Sequence, residues 1–203
     1  MKISIIGAGN IGGTLGSKWA AQGHEIHFGV RDPQAGKVQS LLVEIGGQAT
    51  AAAIPDAIAG ARVVLFAIPG RAMPATVRQL GDRLDGKILI DATNNVGEEP
   101  MHSLSALRRA APNAALFRAF SNLGWENFAS PIFKGMRADL FYCGDSGEAQ
   151  AAVDALIADV GLRPVYIGET EKAVLVDNLT RLWFTLALEQ GRGRHLALKL
   201  LTD

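Results

Sequence analysis

One cysteine, Cys143, is the chain's whole thiol complement. It excludes an intramolecular disulfide framework and leaves no thiol cluster to hold zinc or an iron–sulfur centre. An excess of charge of either sign is missing too, since 20 Lys+Arg stand against 20 Asp+Glu. A balanced surface exerts no general pull on nucleic acid or an acidic membrane, so any anion this chain binds must be caught locally. Charge or glycine interrupts each apolar run before the roughly 18 residues that a spanning helix needs, and no transmembrane segment is expected. Residues 1–6 read directly into a strand, without the basic segment, apolar stretch and small-residue cleavage site of a secretion signal. Together with the lone thiol, this makes a cytoplasmic location the expectation.

What is present is a large apolar fraction and much glycine. At 203 residues and 48% hydrophobic, the chain can bury a sizeable core as one domain or one domain with an extension. Glycine accounts for 23 residues, or about 11% against a usual ~7%. Glycine is costly to order, so an excess calls for a use. Here the glycines punctuate the ends of apolar runs and do not gather in linkers or repeats.

The punctuation has a rhythm. Residues 2–6 form a β-branched run, 7–13 a glycine loop, and 15–21 a helical pattern that ends at Gly23. Residues 25–28 alternate as a second strand, and 33–45 follow as a helix. Strand patterns recur at 49–52, 63–68, 87–91, 115–120, 140–143 and 163–167, and helical ones at 55–58, 73–84, 103–110 and 149–160. Residues 63–68 are apolar at every position, as in a central parallel strand covered on both faces. Alternating strands and helices predict an α/β fold, a doubly wound, mostly parallel sheet. A last helical region carries Leu175, Leu179, Leu182 and Leu186 on one face, read as core-facing with a dimer seam as the other reading. Gly191 and Gly193 break it before a helix resumes over 194–201.

Gly7-Ala8-Gly9-Asn10-Ile11-Gly12 is a complete G-x-G-x-x-G. It follows the first strand and opens a helix inside a βαβ unit, which is the context its mechanism requires. Gly7 allows the tight turn, Gly9 lets the backbone approach a pyrophosphate, and Gly12 lets helix and strand pack closely. The amides at the helix start supply the anion site. An NAD site usually ends the second strand on Asp or Glu, to take the ribose hydroxyls. This strand ends at Gly29, followed by Val30, Arg31 and Asp32. A guanidinium at Arg31 is suited to clamp a 2′-phosphate, so NADP is favoured over NAD, with Lys37 as a candidate second cation.

These segments resemble the F420-dependent NADP reductases and their bacterial relatives, the predicted dinucleotide-binding enzymes. The resemblance rests on Gly7–Gly12, Gly29-Val30-Arg31-Asp32, Ala67-Ile68-Pro69, residues 90–94, residues 118–122 and the ending at 196–200, and so runs along the whole chain. It implies a Rossmann-type domain over 1–144, with residues 145–203 as a short helical carboxy-terminal extension packed on it. NADP(H) would exchange hydride with a deazaflavin (coenzyme F420) or a flavin. Gly7, Ala8, Gly9, Asn10, Ile11 and Gly12 fall on the pyrophosphate loop and Arg31 on the phosphate reader. Ile68 and Pro69 would flank the cofactor, and Asn94 and Phe120 would border the nicotinamide. A homodimer is also implied. The family commonly has Ser or Thr where this chain has Val30, which shifts phosphate affinity onto Arg31. Around residues 120–123 the chain is closer to the bacterial relatives and to the cytosolic domain of the six-transmembrane metalloreductases.

Hydride transfer between two aromatic carriers needs the rings held in contact, not a side chain that moves a proton. No residue is therefore assigned a catalytic role and none a metal. Tyr142 and Tyr166 are the only tyrosines and neither begins a Tyr-x-x-x-Lys, which weakens an alcohol-dehydrogenase reading. Two other functions stay open: a reductase of imines or 2-hydroxy acids, and a non-catalytic NADP-binding redox sensor. Among remaining residues, His24 and His27 are read as surface groups and His102 as a helix start or a neighbour of the second carrier. His195 has no evident partner, Cys143 is a buried inert thiol, Trp183 is core, and Trp125 either packs on the sheet or stacks on the second carrier.

Overall fold

Four strands carry the centre of the molecule: β1 (Lys2–Ile6), β4 (Val63–Phe66), β5 (Ile88–Asp91) and β6 (Ala115–Arg118). Every residue of β4 is fully buried, as its unbroken apolar sequence predicts. In the computed structural model, which describes residues 1–202, these strands continue into β2 (Glu25–Val30) and β3 (Ala49–Ala53) on one side. On the other lie β9 (Asp139–Gly144) and β10 (Arg163–Tyr166). The order is β10-β9-β6-β5-β4-β1-β2-β3, parallel throughout except where β9 meets β6. A Cβ on Gly144 would lie 2.2 Å from the Phe117 ring, so glycine is what lets these two strands meet.

Alternation along each strand builds two cores. Ile3, Ile5, Val63, Leu65 and Ile90 face one side, where Leu15, Trp19 and Phe28 join them. Ile6, Val64, Phe66 and Leu89 face the other, with Met73, Val77 and Leu107. Helices α1 (Asn10–Ala21) and α2 (Gly36–Ile45) cover the first face together with α6 (Trp125–Ala129) and α7 (Glu148–Val160). The second is covered by α3 (Ile54–Ala57), α4 (Met73–Leu80), α5 (Leu104–Ala110) and α8 (Ala173–Phe184). Strands β7 (Ile132–Phe133) and β8 (Met136–Arg137) form a small hairpin. Both the hairpin and α6 are too short for a periodic signal, and they do not figure in the sequence reading. This is the Rossmann-type, doubly wound, mostly parallel architecture expected.

Four expectations are corrected. The stripe Leu175, Leu179, Leu182, Leu186 does not face the core. Helix α8 buries Ala173, Val176, Asp177, Thr180 and Trp183 instead, leaving Leu175 and Leu182 exposed. Asp177 meets a buried arginine across the helix–sheet contact (Nε···Oδ1 3.0 Å to Arg118), and that pair sets the rotation of the helix. Residues 194–201 form no helix. They run as an irregular strap, held by Asn127 Nδ2 on Arg194 O (3.0 Å), Trp183 Nε1 on Leu196 O (2.8 Å) and Lys199 Nζ on Asp139 (2.7 Å). His24 is buried, wedged between the amino terminus (3.1 Å) and Asp159 of α7 (2.9 Å). His195 also has partners, donating from Nε2 to Ser130 O (2.8 Å) and stacking on Phe133 at 4.2 Å. No helix among the described residues is long and apolar enough to cross a membrane.

Candidate functional site

The sheet order reverses at β1, between β2 and β4, and the crevice beyond the carboxyl ends of those strands is the place where open α/β sheets bind ligands. Gly7 turns the chain there. Its φ of +106° is open to glycine, and a Cβ would lie 2.5 Å from Ala67 O. Helix α1 then starts from Gly9, whose carbonyl accepts the first helical bond from Gly13 N at 2.7 Å. The amides of Asn10, Ile11 and Gly12 precede that bond, no side chain caps them, and no acid sits in the first turn. They form an uncompensated positive end. Gly12 is buried beneath the loop, where a Cβ would lie 2.0 Å from Gly7 O, while around Gly9 a Cβ would meet nothing within 4 Å.

A cavity of about 720 Å³ opens at this point. One wall is Gly29 to Asp32 with Ala35 and Val38, the other is Ala67 to Pro69 with Arg71, Ala72 and Thr76, and Gly7 to Gly9 lie between. Of the residues expected to bind the cofactor, Gly7, Ala8, Gly9, Arg31, Ile68 and Pro69 line it. Asn10 lines a neighbouring groove of about 950 Å³ between α1, α2 and α6. Lys37 and Trp125 are also on that groove and not on the cavity. Asp32 does not neutralise Arg31. Its Oδ1 accepts from Gln34 N at 3.0 Å, and among the described residues no carboxylate lies within ion-pair distance of Arg31.

Asn94 and Phe120 lie further along, beyond β5 and β6. Phe120 has φ +58° and its side chain turns into the core, edge-on to Trp19 (5.6 Å) and Phe128 (5.8 Å). The ring is buried and does not line the cavity, because a phenyl ring at that turn finds an apolar pocket under α1. Asn94 belongs to a buried polar network that sequence reasoning missed. Arg118, fully buried at the end of β6, donates from Nη2 to Asn94 Oδ1 (2.6 Å) and from Nη1 to Asp91 O (3.2 Å) and to Thr93 O. Two carboxylates flank it, Asp177 at 2.9 Å and Asp91 at 3.7 Å. Thr93 N, Thr93 Oγ1 and Ser103 N also donate to Asp91, and Met101 N to Asp177. Asn94 Nδ2 in turn holds Ser121 O (2.9 Å), beside the buried Ser121 Oγ and Asn122 Oδ1, which have no partner among the described residues. The signal for the network was an Asp inside the apolar register of α8.

His102 faces the same network. Burial pushes its pKa down, Asp177 and Asp91 oppose that shift, and Arg118 adds to it. Its Nδ1 sits 3.3 Å from Leu104 N, at the start of α5. Burial likewise pushes the Cys143 thiol up to about 12, so it stays protonated. Tyr142 donates to Asp154 and Tyr166 to Gly144 O (2.9 Å), and neither lines the cavity. Among the described residues no group of three or more His, Cys, Asp or Glu is placed to hold a metal ion.

Residues 2–95 match the family described as NADP oxidoreductase, coenzyme F420-dependent. Over 98% of its length the chain is 28% identical to the F420-dependent NADP reductase of Methanothermobacter thermautotrophicus, covering 94% of that protein. A solved structure from Arthrobacter sp. FB24, provisionally named an F420-dependent NADP reductase, superposes with a TM-score of 0.85. The two are 26% identical, and each is covered completely. A reductive aminase from Aspergillus terreus, solved with NADPH and ethyl-5-oxohexanoate, superposes with a TM-score of 0.71 at 26% identity. That match takes in 94% of this chain but 63% of the other.

Proposed function

We propose that this chain, an NADP-dependent oxidoreductase by its kinship with the F420-dependent NADP reductases, transfers hydride between NADPH and a deazaflavin or flavin carrier. The observation that carries the reading is Arg31, a guanidinium with no ion-pair partner among the described residues, on the wall of a cavity bordered by Gly7 to Gly9, the turn that leads into the uncapped start of α1. Such a pair of features fits a dinucleotide with a phosphate on its ribose. The space around Gly9, which any Cβ would begin to fill, fits the pyrophosphate. Bound NADPH supplies the hydride, and the chain's own work is to hold and orient. Gly7 to Gly12 grip the pyrophosphate, Ile68 and Pro69 flank the cofactor, and Asn94, fixed by Arg118, borders the nicotinamide with the backbone of Phe120. Transfer between two rings needs no side-chain acid.

The test follows NADPH absorbance against deazaflavin, FMN, FAD and quinone acceptors, and against small imines and keto acids. Oxidation with a deazaflavin or flavin is expected. Turnover of an imine alone would favour the second reading, for which the likeness to the reductive aminase speaks, and tight NADPH binding without any turnover would leave a redox sensor. In the same assay Arg31→Ala should raise the Kd for NADPH roughly 10- to 150-fold, the worth of a charge-assisted bidentate contact, with little change for NADH. Equal weakening of both cofactors would remove Arg31 as the phosphate reader.

We also read residues 145–203 as an extension of the 1–144 domain, and the outward face of α8 as the seam of a homodimer located in the cytoplasm. Leu175 and Leu182 are exposed there, as is Leu188 in the turn that continues it. Light scattering should give about twice 21.5 kDa, and Leu182→Glu should return the mass to that of one chain. A monomeric wild type at micromolar concentration would refute the seam.

A further inference from the structure

We infer that Arg71 is the second cation of the phosphate site, reading a ribose 2′-phosphate together with Arg31 from the opposite wall. The inference rests on the cofactor reading above and deepens it. A phosphate monoester carries close to two negative charges at neutral pH, and one guanidinium meets only half of that. The hydroxyl that Ser or Thr would bring to position 30 is absent, because Val30 stands there. Lys37 points along the neighbouring groove, whereas Arg71 lines the same cavity as Arg31.

The place of Arg71 is set by its backbone. It is the middle residue of a single 3₁₀ turn, Gly70–Ala72, closed by Ala72 N on Pro69 O at 2.8 Å. Gly70 presses that turn against the loop after β5, where a Cβ would lie 2.6 Å from Asn95 N. Thr76 Oγ1 fastens the far side by donating to Ala72 O at 3.0 Å. From this fixed turn the Arg71 side chain is exposed, and no carboxylate among the described residues lies within ion-pair distance of it. The cavity wall therefore carries two guanidiniums against one carboxylate, Asp32, which is engaged by Gln34 N. Two like charges sharing one cavity repel, and a dianion between them turns that repulsion into attraction.

Calorimetric titration of wild type, Arg31→Ala, Arg71→Ala and Lys37→Ala with adenosine 2′,5′-bisphosphate, 5′-AMP, NADPH and NADH tests this. Arg71→Ala should weaken adenosine 2′,5′-bisphosphate and NADPH by about tenfold, in line with one lost charge-assisted contact, and 5′-AMP and NADH by less than about threefold. Equal losses for NADPH and NADH would make Arg71 a stacking partner of the base and overturn the inference, as would a loss confined to Lys37→Ala. A wild type that does not prefer the 2′-phosphorylated ligands would instead defeat the NADP reading itself. A preference lost in Arg31→Ala but kept in Arg71→Ala would defeat only the present proposal. Arg71 is exposed and makes no contact that the fold needs, so the variant's melting curve should overlay that of wild type.

Discussion

Arg118→Met should cost about 3–5 kcal/mol of folding stability, the usual penalty when one partner of a buried ion pair is removed. At this chain length the loss corresponds to roughly 6–20 °C in Tm. The reason lies in what stays behind. Asp91 and Asp177 are both buried and both face the guanidinium, at 3.7 and 2.9 Å, so its loss leaves two carboxylates with backbone amides and the Thr93 hydroxyl, but no cation, to meet them. Three carbonyl acceptors, Asp91 O, Thr93 O and Asn94 Oδ1, lose their donor in the same stroke. Arg118→Lys keeps the charge but lacks the planar fork that reaches both carboxylates and the loop, and should fall between wild type and Arg118→Met. Adding Asp177→Asn to Arg118→Met should recover part of the loss, since it removes one of the orphaned charges. Urea unfolding of these four proteins and of Asp177→Asn alone measures this coupling. A loss below about 1 kcal/mol in Arg118→Met, or strictly additive effects in the double variant, would show that the network does not act as a unit.

That network marks the boundary of what could be read from the amino-acid sequence. The sheet was legible because its strands obey local rules: 63–66 are apolar throughout and lie buried at the centre, and residues 7–12 follow a strand and open a helix. That Gly7, Gly9 and Arg31 line one cavity was legible for the same reason, since they come from neighbouring segments of one βαβ unit. Arg118, Asp91 and Asp177 come from three elements spread over 86 residues, and nothing in their local spacing ties them together. Their pairing also decides which face of α8 turns inward, and this is why four leucines at helical spacing gave a wrong face. Hydrophobic periodicity identifies a helix but yields to a charge that has a buried partner to meet. Phe120 went astray similarly. It was expected at the border of the nicotinamide region, but the direction of its ring depends on a positive φ and on the pocket between Trp19 and Phe128, and the ring turns into the core.

Gly9→Val should abolish cofactor binding while leaving the fold intact, and the loop's three glycines explain why this position alone separates the two. Gly7 needs its positive φ, and Gly12 has Gly7 O where a Cβ would go, so substitution at either disturbs the turn itself. Gly9 needs neither concession. Its φ of −81° and ψ of −168° are open to any residue, and the space where its Cβ would stand is empty. Valine is a poorer helix cap than glycine, so a stability cost of about 1 kcal/mol or less is expected. The branched side chain, however, projects where a pyrophosphate must come within hydrogen-bonding reach of the amides of α1, and a bound phosphate cannot retreat by a methyl group's width and keep those bonds. A Kd raised by at least about 100-fold follows, which is roughly 2.7 kcal/mol. Thermal unfolding with and without NADPH reads both effects at once. With ligand at about 100 times the wild-type Kd, wild type gains roughly 2.7 kcal/mol and the variant only about 0.4. A variant still stabilised like wild type would remove the pyrophosphate from the Gly7–Gly12 loop. One that fails to fold would show that Gly9, like its two neighbours, serves the turn and not the ligand.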